Sequence, residues 1–363
     1  MSIDPKDYPP APAELEETPD PTTWAPIDLT DALGGADVPP PVILHRTDGV
    51  PLLYAGRTHQ FLGESESCKS WAAQVAVAEV LRAGEPVLYI DYEDDERGVV
   101  SRLLALLVPA DVIRAGLTYL RPDEPLMTRD GRATQGAVDL GTVLEARRYA
   151  LAVIDGVTEA MTTEGLDPMG NADVALWSRR LPKRIANQCG SAVLVIDHVA
   201  KGSDTAGRFA IGGQHKLSGL SGASYRFDVQ RPFSRAMGAD PVTGAIKVTV
   251  TKDRPGYVRG HAADKVVGIF ELTSYPDASV TASLRPAGEA KVGPDMALVE
   301  RVLDYLHQYD GASKSRIEQD VEGRAENIRQ ALRWLTEQTE PMVRIERVGN
   351  SHRHYLTEAG RNA

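Results

Sequence analysis

Residues 61–71 read FLGESESCKSW. An apolar approach runs into Gly63, four residues intervene, and Cys68 stands before Lys69-Ser70. Holding a triphosphate takes backbone N–H groups turned inward, a helix N-terminus, a lysine, and a hydroxyl for magnesium. The spacing G-x-x-x-x-G-K-[ST] supplies all four, and here it is met except at the second glycine, which is Cys68. Gly63 would make the tight turn, and Glu64, Ser65, Glu66, Ser67 and Cys68 would wrap the phosphates. Lys69 would reach the β- and γ-phosphates, Ser70 would hold Mg²⁺, and the helix opening at Trp71 would supply its dipole. ATP and Mg²⁺ are the cofactors this chemistry needs. A Cβ at position 68 would crowd the phosphates or change the turn. Glu64 and Glu66 add negative charge near a polyanion unless they point away. The plain alternative is a chance G-x5-K-S in a surface loop.

Four further stretches could complete such a site. LAVIDG ends an apolar strand at Asp155, placed to hold magnesium through water. YIDYEDDE (Tyr89–Glu96) offers a carboxylate to orient and deprotonate an attacking water. Glu93 is the choice there, with Asp91 and Asp94 as rivals and a solvated acidic loop as the plain alternative. VLVIDHVAKG ends a strand in Asp197 and His198, with Lys201 just beyond, and such an end can sense a γ-phosphate by hydrogen bonding. In VTVTKDRPGYVRG, Lys252 and Arg254 alternate off a strand end, so both side chains point to one side. Two cations held this way suit the charge that builds on a transferring phosphoryl group.

Positioning these residues takes an α/β framework. PVLYID (86–91), YALAVID (149–155) and SAVLVID (191–197) are apolar at consecutive positions, as buried parallel strands are. The stretch 71–84 reads as an amphipathic helix ending at Gly84, and 174–190 as another, interrupted by Pro182. IKVTVTKDR (246–254) and VGIFELT (267–273) read as later strands. ASLRPAGEAKVGPD (282–295) reads as a linker. Helices over 296–309, 313–321 and 324–338 follow, the last with Ile328, Leu332 and Leu335 on one face. Two strand-like pieces, 342–347 and 353–357, complete a winged-helix pattern. The domain reading is an acidic, proline-rich arm over 1–41, an α/β domain over 42–284, a linker over 285–295 and a winged-helix domain over 296–363.

The formal net charge of −11 argues against a surface coated in bases. Residues 1–40 hold one base against nine acids, so −8 of that charge belongs to the arm and the rest of the chain is nearly neutral. Within the arm, WAPIDLTDAL (24–33) is apolar enough to dock on a partner or on its own domain. Residues 295–363 hold ten bases and twelve acids, yet Arg324, Arg329, Arg333 and Arg353, with Arg344 and Arg347, could form one basic face for DNA. His352 and His354 lie at the wing. Two cysteines, Cys68 and Cys189, make neither a disulfide framework nor a zinc spacing. No apolar run is long enough to span a membrane, and a cytoplasmic protein is the expectation.

Together these stretches resemble the RecA-like P-loop ATPases, in particular the hexameric replicative helicases and RepA-type plasmid and phage ATPases. The resemblance covers about residues 43–284. It implies a central, mostly parallel sheet, with Glu93 as catalytic base and Asp155 as the Walker B aspartate. It also implies that Asp197, His198 and Lys201 form a sensing strand end, and that Lys252, Arg254 and Gly256 are fingers acting on a neighbouring subunit's nucleotide. EGLDPMGNADV (164–174) is similar to the family's acidic, asparagine-containing loop, and 216–229 falls where the family has a loop facing a central channel, followed by a helix and a strand. The arm resembles actinobacterial and phage relatives more loosely. Cys68 is the departure. The implied protein is an ATP-hydrolysing, DNA-acting homo-oligomer, a hexamer by preference. Single-stranded DNA would be its partner and a primase or loader a further one. A nucleotide-gated DNA-binding or loading factor with little turnover is the second expectation. A small-molecule kinase is the third, and it leaves the Lys-x-Arg element and the winged helix unused.

Overall fold

A computed structural model of the chain describes residues 26–34, 39–199, 219–287, 296–323, 325–337, 341–349 and 351–361. Trp24, Lys201, Arg324, the start of the channel-facing loop (216–218) and most of the expected linker (288–295) lie outside the described residues.

Among the described residues, eleven strands precede residue 288: β1 (Ile43–His45), β2 (Pro51–Leu53), β3 (Thr58–Gly63), β4 (Val87–Asp91), β5 (Leu117–Leu120), β6 (Leu151–Asp155), β7 (Ala192–His198), β8 (Ala223–Arg231), β9 (Val242–Asp253), β10 (Val266–Ser274) and β11 (Val280–Arg285). β1 and β2 pair with each other, and the other nine form one sheet in the order β11-β10-β9-β8-β3-β7-β6-β4-β5. From β8 to β5 every pairing is parallel, and from β8 to β11 every pairing is antiparallel. The consecutive apolar residues of β4, β6 and β7 are buried, and so is all of β3 although Thr58, His59 and Gln60 are polar. Alternation sends successive side chains to opposite faces. Val87 and Tyr89 join one core with Ala73, Ala76 and Val77, whereas Leu88 and Ile90 join the other with Ile154, Trp177 and Ile185.

The first core is closed by the helix Lys69–Arg82, which ends at Ala83 before Gly84 in the left-handed region (φ +79°). Pro182 divides the expected second helix in two. Asn171–Arg180 ends at Leu181, and Pro182–Cys189 begins with the proline in its first turn, where the missing N–H costs nothing. The linker starts later than 282, because Ala282–Arg285 completes β11 against β10 and Arg285 pairs with Glu271 at 3.2 Å.

Residues 296–361 contain the helices Met296–Gln308, Lys314–Asp320 and Ala325–Glu337 and the strands β12 (Ala312–Ser313), β13 (Val343–Val348) and β14 (Ser351–Leu356), in the sheet order β12-β14-β13. Ile328, Leu332 and Leu335 are buried against Leu298, Val302, Ile317 and Val343. Among the described residues no helix is long and apolar enough to cross a membrane.

Candidate functional site: a phosphate loop and its carboxylates

The loop between β3 and the Lys69 helix sits at the carboxyl edge of the parallel strands, where open α/β sheets bind ligands. Gly63 is required by closeness rather than by a positive φ. A Cβ there would lie 2.5 Å from Ser67 Oγ and 2.8 Å from the Phe227 carbonyl oxygen. Cys68 takes φ 63°, ψ 23°, the left-handed conformation that a glycine adopts freely. The turn therefore survives the substitution, with a side chain held where strain is about 1–2 kcal/mol. Glu66 shares the same conformation at φ 63°. Glu64, Ser65 and Glu66 are exposed, so their polar groups face solvent. Ser67 Oγ donates to the Glu64 carbonyl at 2.8 Å and closes the loop.

Lys69 is buried, and its Nζ donates to the carbonyls of Gly63 at 3.0 Å and Glu64 at 2.6 Å. Burial lowers its pKa, opposed by the negative charges of Glu93, Asp155 and Asp197. A polyphosphate entering the loop would compete with those carbonyls for the ammonium.

Asp155 ends β6 and is buried. Tyr89 Oη donates to its Oδ2 at 2.9 Å, while Oδ1 is buried with no partner. Burial pushes the carboxyl up to about 6. The nearby Ser70 hydroxyl favours the ionised form. An orphaned carboxylate oxygen beside a serine hydroxyl, at the edge of a phosphate loop, fits a hard divalent cation that keeps phosphate and water as its other ligands. No cluster of three or more His, Cys, Asp or Glu that could hold a metal exists among the described residues. The donor set thus suits Mg²⁺ on a nucleotide better than an all-protein metal cage.

The three rival acids after β4 separate by their partners. Asp91 is buried and accepts from the backbone N–H of Glu93 (3.0 Å) and Asp94 (2.9 Å) and from Tyr119 Oη (3.1 Å), so it anchors the turn. Asp94 pairs with Arg102 at 2.9 Å. Of the three, Glu93 lines the cavity, of about 590 Å³, together with Ser65–Trp71, Arg102, Ile196, His198 and Phe233. His198 Nε2 lies 3.3 Å from Glu93 Oε1. That contact is the main reason Glu93 is held below the usual carboxylate range and His198 above the usual imidazole range.

Asp197 faces away from this cavity. It is buried, accepting from Gln60 Nε2 at 3.1 Å and from the His198 N–H at 2.9 Å. The chain of contacts continues from Gln60 Oε1 to Ser224 Oγ (3.1 Å) and Thr251 Oγ1 (3.0 Å), crossing four strands. Next to Thr251, Lys252 Nζ donates to the Leu220 carbonyl at 3.0 Å, and Arg254 N–H donates to the Gly222 carbonyl at 3.1 Å. Lys252 is opposite Ser224, which is opposite Gln60, three residues back along β3 from Gly63. Both cations therefore sit toward the other end of the sheet, and this chain's own loop does not meet them. Burial foremost, then the charges of Arg254 and Lys183, lowers the pKa of Lys252.

In the C-terminal module Arg329 makes two hydrogen bonds to Glu318 (2.7 and 3.1 Å), Arg353 donates to the Gly311 carbonyl at 3.2 Å, and Arg333 is exposed. His352 is exposed, but His354 points inward and is buried.

Arg102 and Phe233 line the cavity without having drawn notice in the sequence. Phe233 meets Trp71 edge-on with ring centroids 5.4 Å apart. No local spacing announces that pairing. Arg102 follows Glu93 on the next helix, which is a signal only once that helix is known to flank the loop.

A strand–loop–helix that buries its lysine, a strand-end aspartate with a partnerless oxygen and a cavity-facing glutamate make up a site suited to a nucleotide's phosphates. Residues 25–204 match the AAA domain family. That span includes the phosphate loop, Glu93, Asp155 and His198 and stops before Lys252. No curated protein matches the chain. Among solved structures, the KaiC-like protein PH0186 from the hyperthermophilic archaeon Pyrococcus horikoshii OT3 is similar at 10% identity and a TM-score of 0.45, over 68% of this chain and all of that one.

Proposed function

We propose that this chain is a RecA-like, ATP-hydrolysing oligomeric motor that acts on DNA, of the RepA-type replicative-helicase kind. The observation that carries it is the split of the catalytic set. Lys69, Ser70, Asp155, Glu93 and His198 gather at one edge of the sheet, and Lys252 and Arg254 sit toward the other. Cations out of reach of this chain's own loop support a role at a second copy's nucleotide, and head-to-tail contacts of that kind close into rings, a hexamer in this proposal.

In the reaction, Lys69 holds the β- and γ-phosphates. Glu93, ionised at neutral pH, takes a proton from the water that attacks the γ-phosphate. His198 lies against Glu93 and can report the γ-phosphate to β7. The neighbour's Lys252 and Arg254 stabilise the charge on the transferring group. Mg²⁺, held by Ser70 and Asp155, would neutralise phosphate charge. The three longer C-terminal helices and the three strands are proposed as a winged-helix domain that contacts DNA, with Arg333 exposed on its surface.

A nucleotide-gated DNA-binding or loading factor with slow turnover is the second reading. It is favoured by the strained Cys68 and by the grip of the loop carbonyls on Lys69. ATP hydrolysis by purified protein, with and without single-stranded DNA, beside Lys69→Ala and Glu93→Gln, separates the two. DNA-stimulated turnover lost in both variants supports the motor. ATP binding without turnover supports the gated factor.

A further inference from the structure

Glu159 is an acid that neither the phosphate loop nor the Ser70–Asp155 pair accounts for. It lies on the short helix Val157–Thr163 that leaves β6, and its Oε2 is buried with no hydrogen-bond donor among the described residues. Gly156 explains what it faces. A Cβ at position 156 would lie 1.9 Å from Glu93 Oε1 and 2.9 Å from Glu159 Oε2, so the two carboxyl groups converge over a point where only a hydrogen fits. Two ionised carboxylates in one half-buried place repel, and one of them keeps a proton. His198 at Glu93 Oε1 settles which one, because it favours the ionised form of Glu93.

We propose that Glu159 is a positioning residue for hydrolysis: a protonated carboxyl that donates a hydrogen bond to Glu93 and fixes that carboxylate for the attacking water. The inference rests on Glu93 being the base. Glu159 contributes no proton to the reaction: the water's proton goes to Glu93, and Glu159 keeps its own. Burial and the neighbouring carboxylate outweigh the groups that favour an ionised Glu159. Burial foremost raises the Glu159 pKa, its own backbone N–H works against this, Glu93 raises it further, and His198 opposes. The His198 contact foremost, with the closeness of Glu159 and the charge on Lys69, lowers that of Glu93 against the effect of burial.

The test uses the full chain with Mg-ATP across a pH series, comparing wild type, Glu159→Gln, Glu159→Ala and Glu93→Gln. A glutamine amide still donates to Glu93. Glu159→Gln is therefore expected to keep kcat within about twofold and to lose any alkaline decline due to Glu159 ionising. Glu159→Ala is expected to lower kcat by about 10- to 100-fold, the worth of a hydrogen bond to a charged group, with KM for ATP unchanged. Loss of turnover in Glu159→Gln as deep as in Glu93→Gln would overturn the proposal, since Glu159 would then be needed as a carboxylate. So would a Glu159→Ala enzyme with the wild-type rate. The infrared difference between wild type and Glu159→Gln at neutral pH reads the proton without turnover. A protonated-carboxyl C=O band is expected in wild type, and its absence refutes the proposal. Wild-type turnover in Glu93→Gln would instead remove the assignment of the base, and the inference with it.

Discussion

Gly156→Ala tests the geometry of the hydrolytic carboxylate most directly. Gly156 has φ −123° and ψ 153°, extended angles in a region open to alanine. The new methyl would sit 1.9 Å from Glu93 Oε1 and 2.6 Å from its Cδ, where ordinary van der Waals contact begins near 3.4 Å. The oxygen must therefore retreat by about 1.5 Å. Glu93 is the free end of a flexible side chain, so the fold can absorb this, and thermal stability should fall by no more than about 1 kcal/mol. Catalysis cannot absorb it, because a misplacement of about 1 Å costs about 100-fold. The expected result is kcat reduced at least about 100-fold, with unchanged binding of a fluorescent ATP analogue and a near-native melting temperature. Gly63→Ala is the contrast. Its methyl meets the Phe227 carbonyl, which cannot swing away, and the fold itself should suffer. A Gly156→Ala protein that hydrolyses ATP at the wild-type rate would refute the placement of Glu93 over Gly156.

Three further outcomes follow from the same structure. Cys68→Gly should relieve about 1–2 kcal/mol of left-handed strain, partly offset by the greater unfolded-state freedom of glycine, and should leave ATP affinity equal or tighter by calorimetry. Weaker binding would mean that the cysteine shapes the loop favourably. If the cations act across a subunit boundary, Lys252→Ala/Arg254→Ala and Glu93→Gln proteins should each lack turnover, and mixing them should restore part of it. No recovery in mixed oligomers would place the fingers elsewhere. His59 is buried, with Nε2 accepting from the Tyr54 N–H and Nδ1 facing the Val193 carbonyl, and burial lowers its pKa from 6.5 to about 4. Because the unfolded chain takes up the proton first, its contribution is present above pH 6.5 and is lost as pH falls toward 4, by about 3 kcal/mol in all. Urea midpoints measured across that range should fall with acid, and a midpoint that does not move would contradict a neutral, buried His59.

Sequence alone determined the parts of this protein that depend on local pattern. Runs of consecutive apolar residues announced β4, β6 and β7, because a strand covered on both faces needs no polar alternation. The spacing from Gly63 to Ser70 announced the loop, and Asp155 and His198 announced themselves as polar ends of apolar strands. Pro182 marked a helix boundary through its missing N–H. What pattern could not decide was which of several similar groups faces which neighbour. Asp91, Glu93 and Asp94 stand almost side by side in the chain. Only the N–H groups and the tyrosine that claim Asp91, and the arginine that claims Asp94, leave Glu93 to the cavity. Cys68 reads as a flaw until its φ shows the loop holding the glycine conformation regardless. Glu159 reads as an ordinary helical acid until the missing Cβ of Gly156 brings it onto Glu93. The position of Lys252 and Arg254 at the far end of the sheet depends on β9 running antiparallel beside β8, a pairing across more than twenty residues that no local spacing encodes. Local pattern fixes which segments become strands and loops through backbone geometry and burial. Which side chains meet depends on long-range packing, where proximity is decided by the order of strands in the sheet.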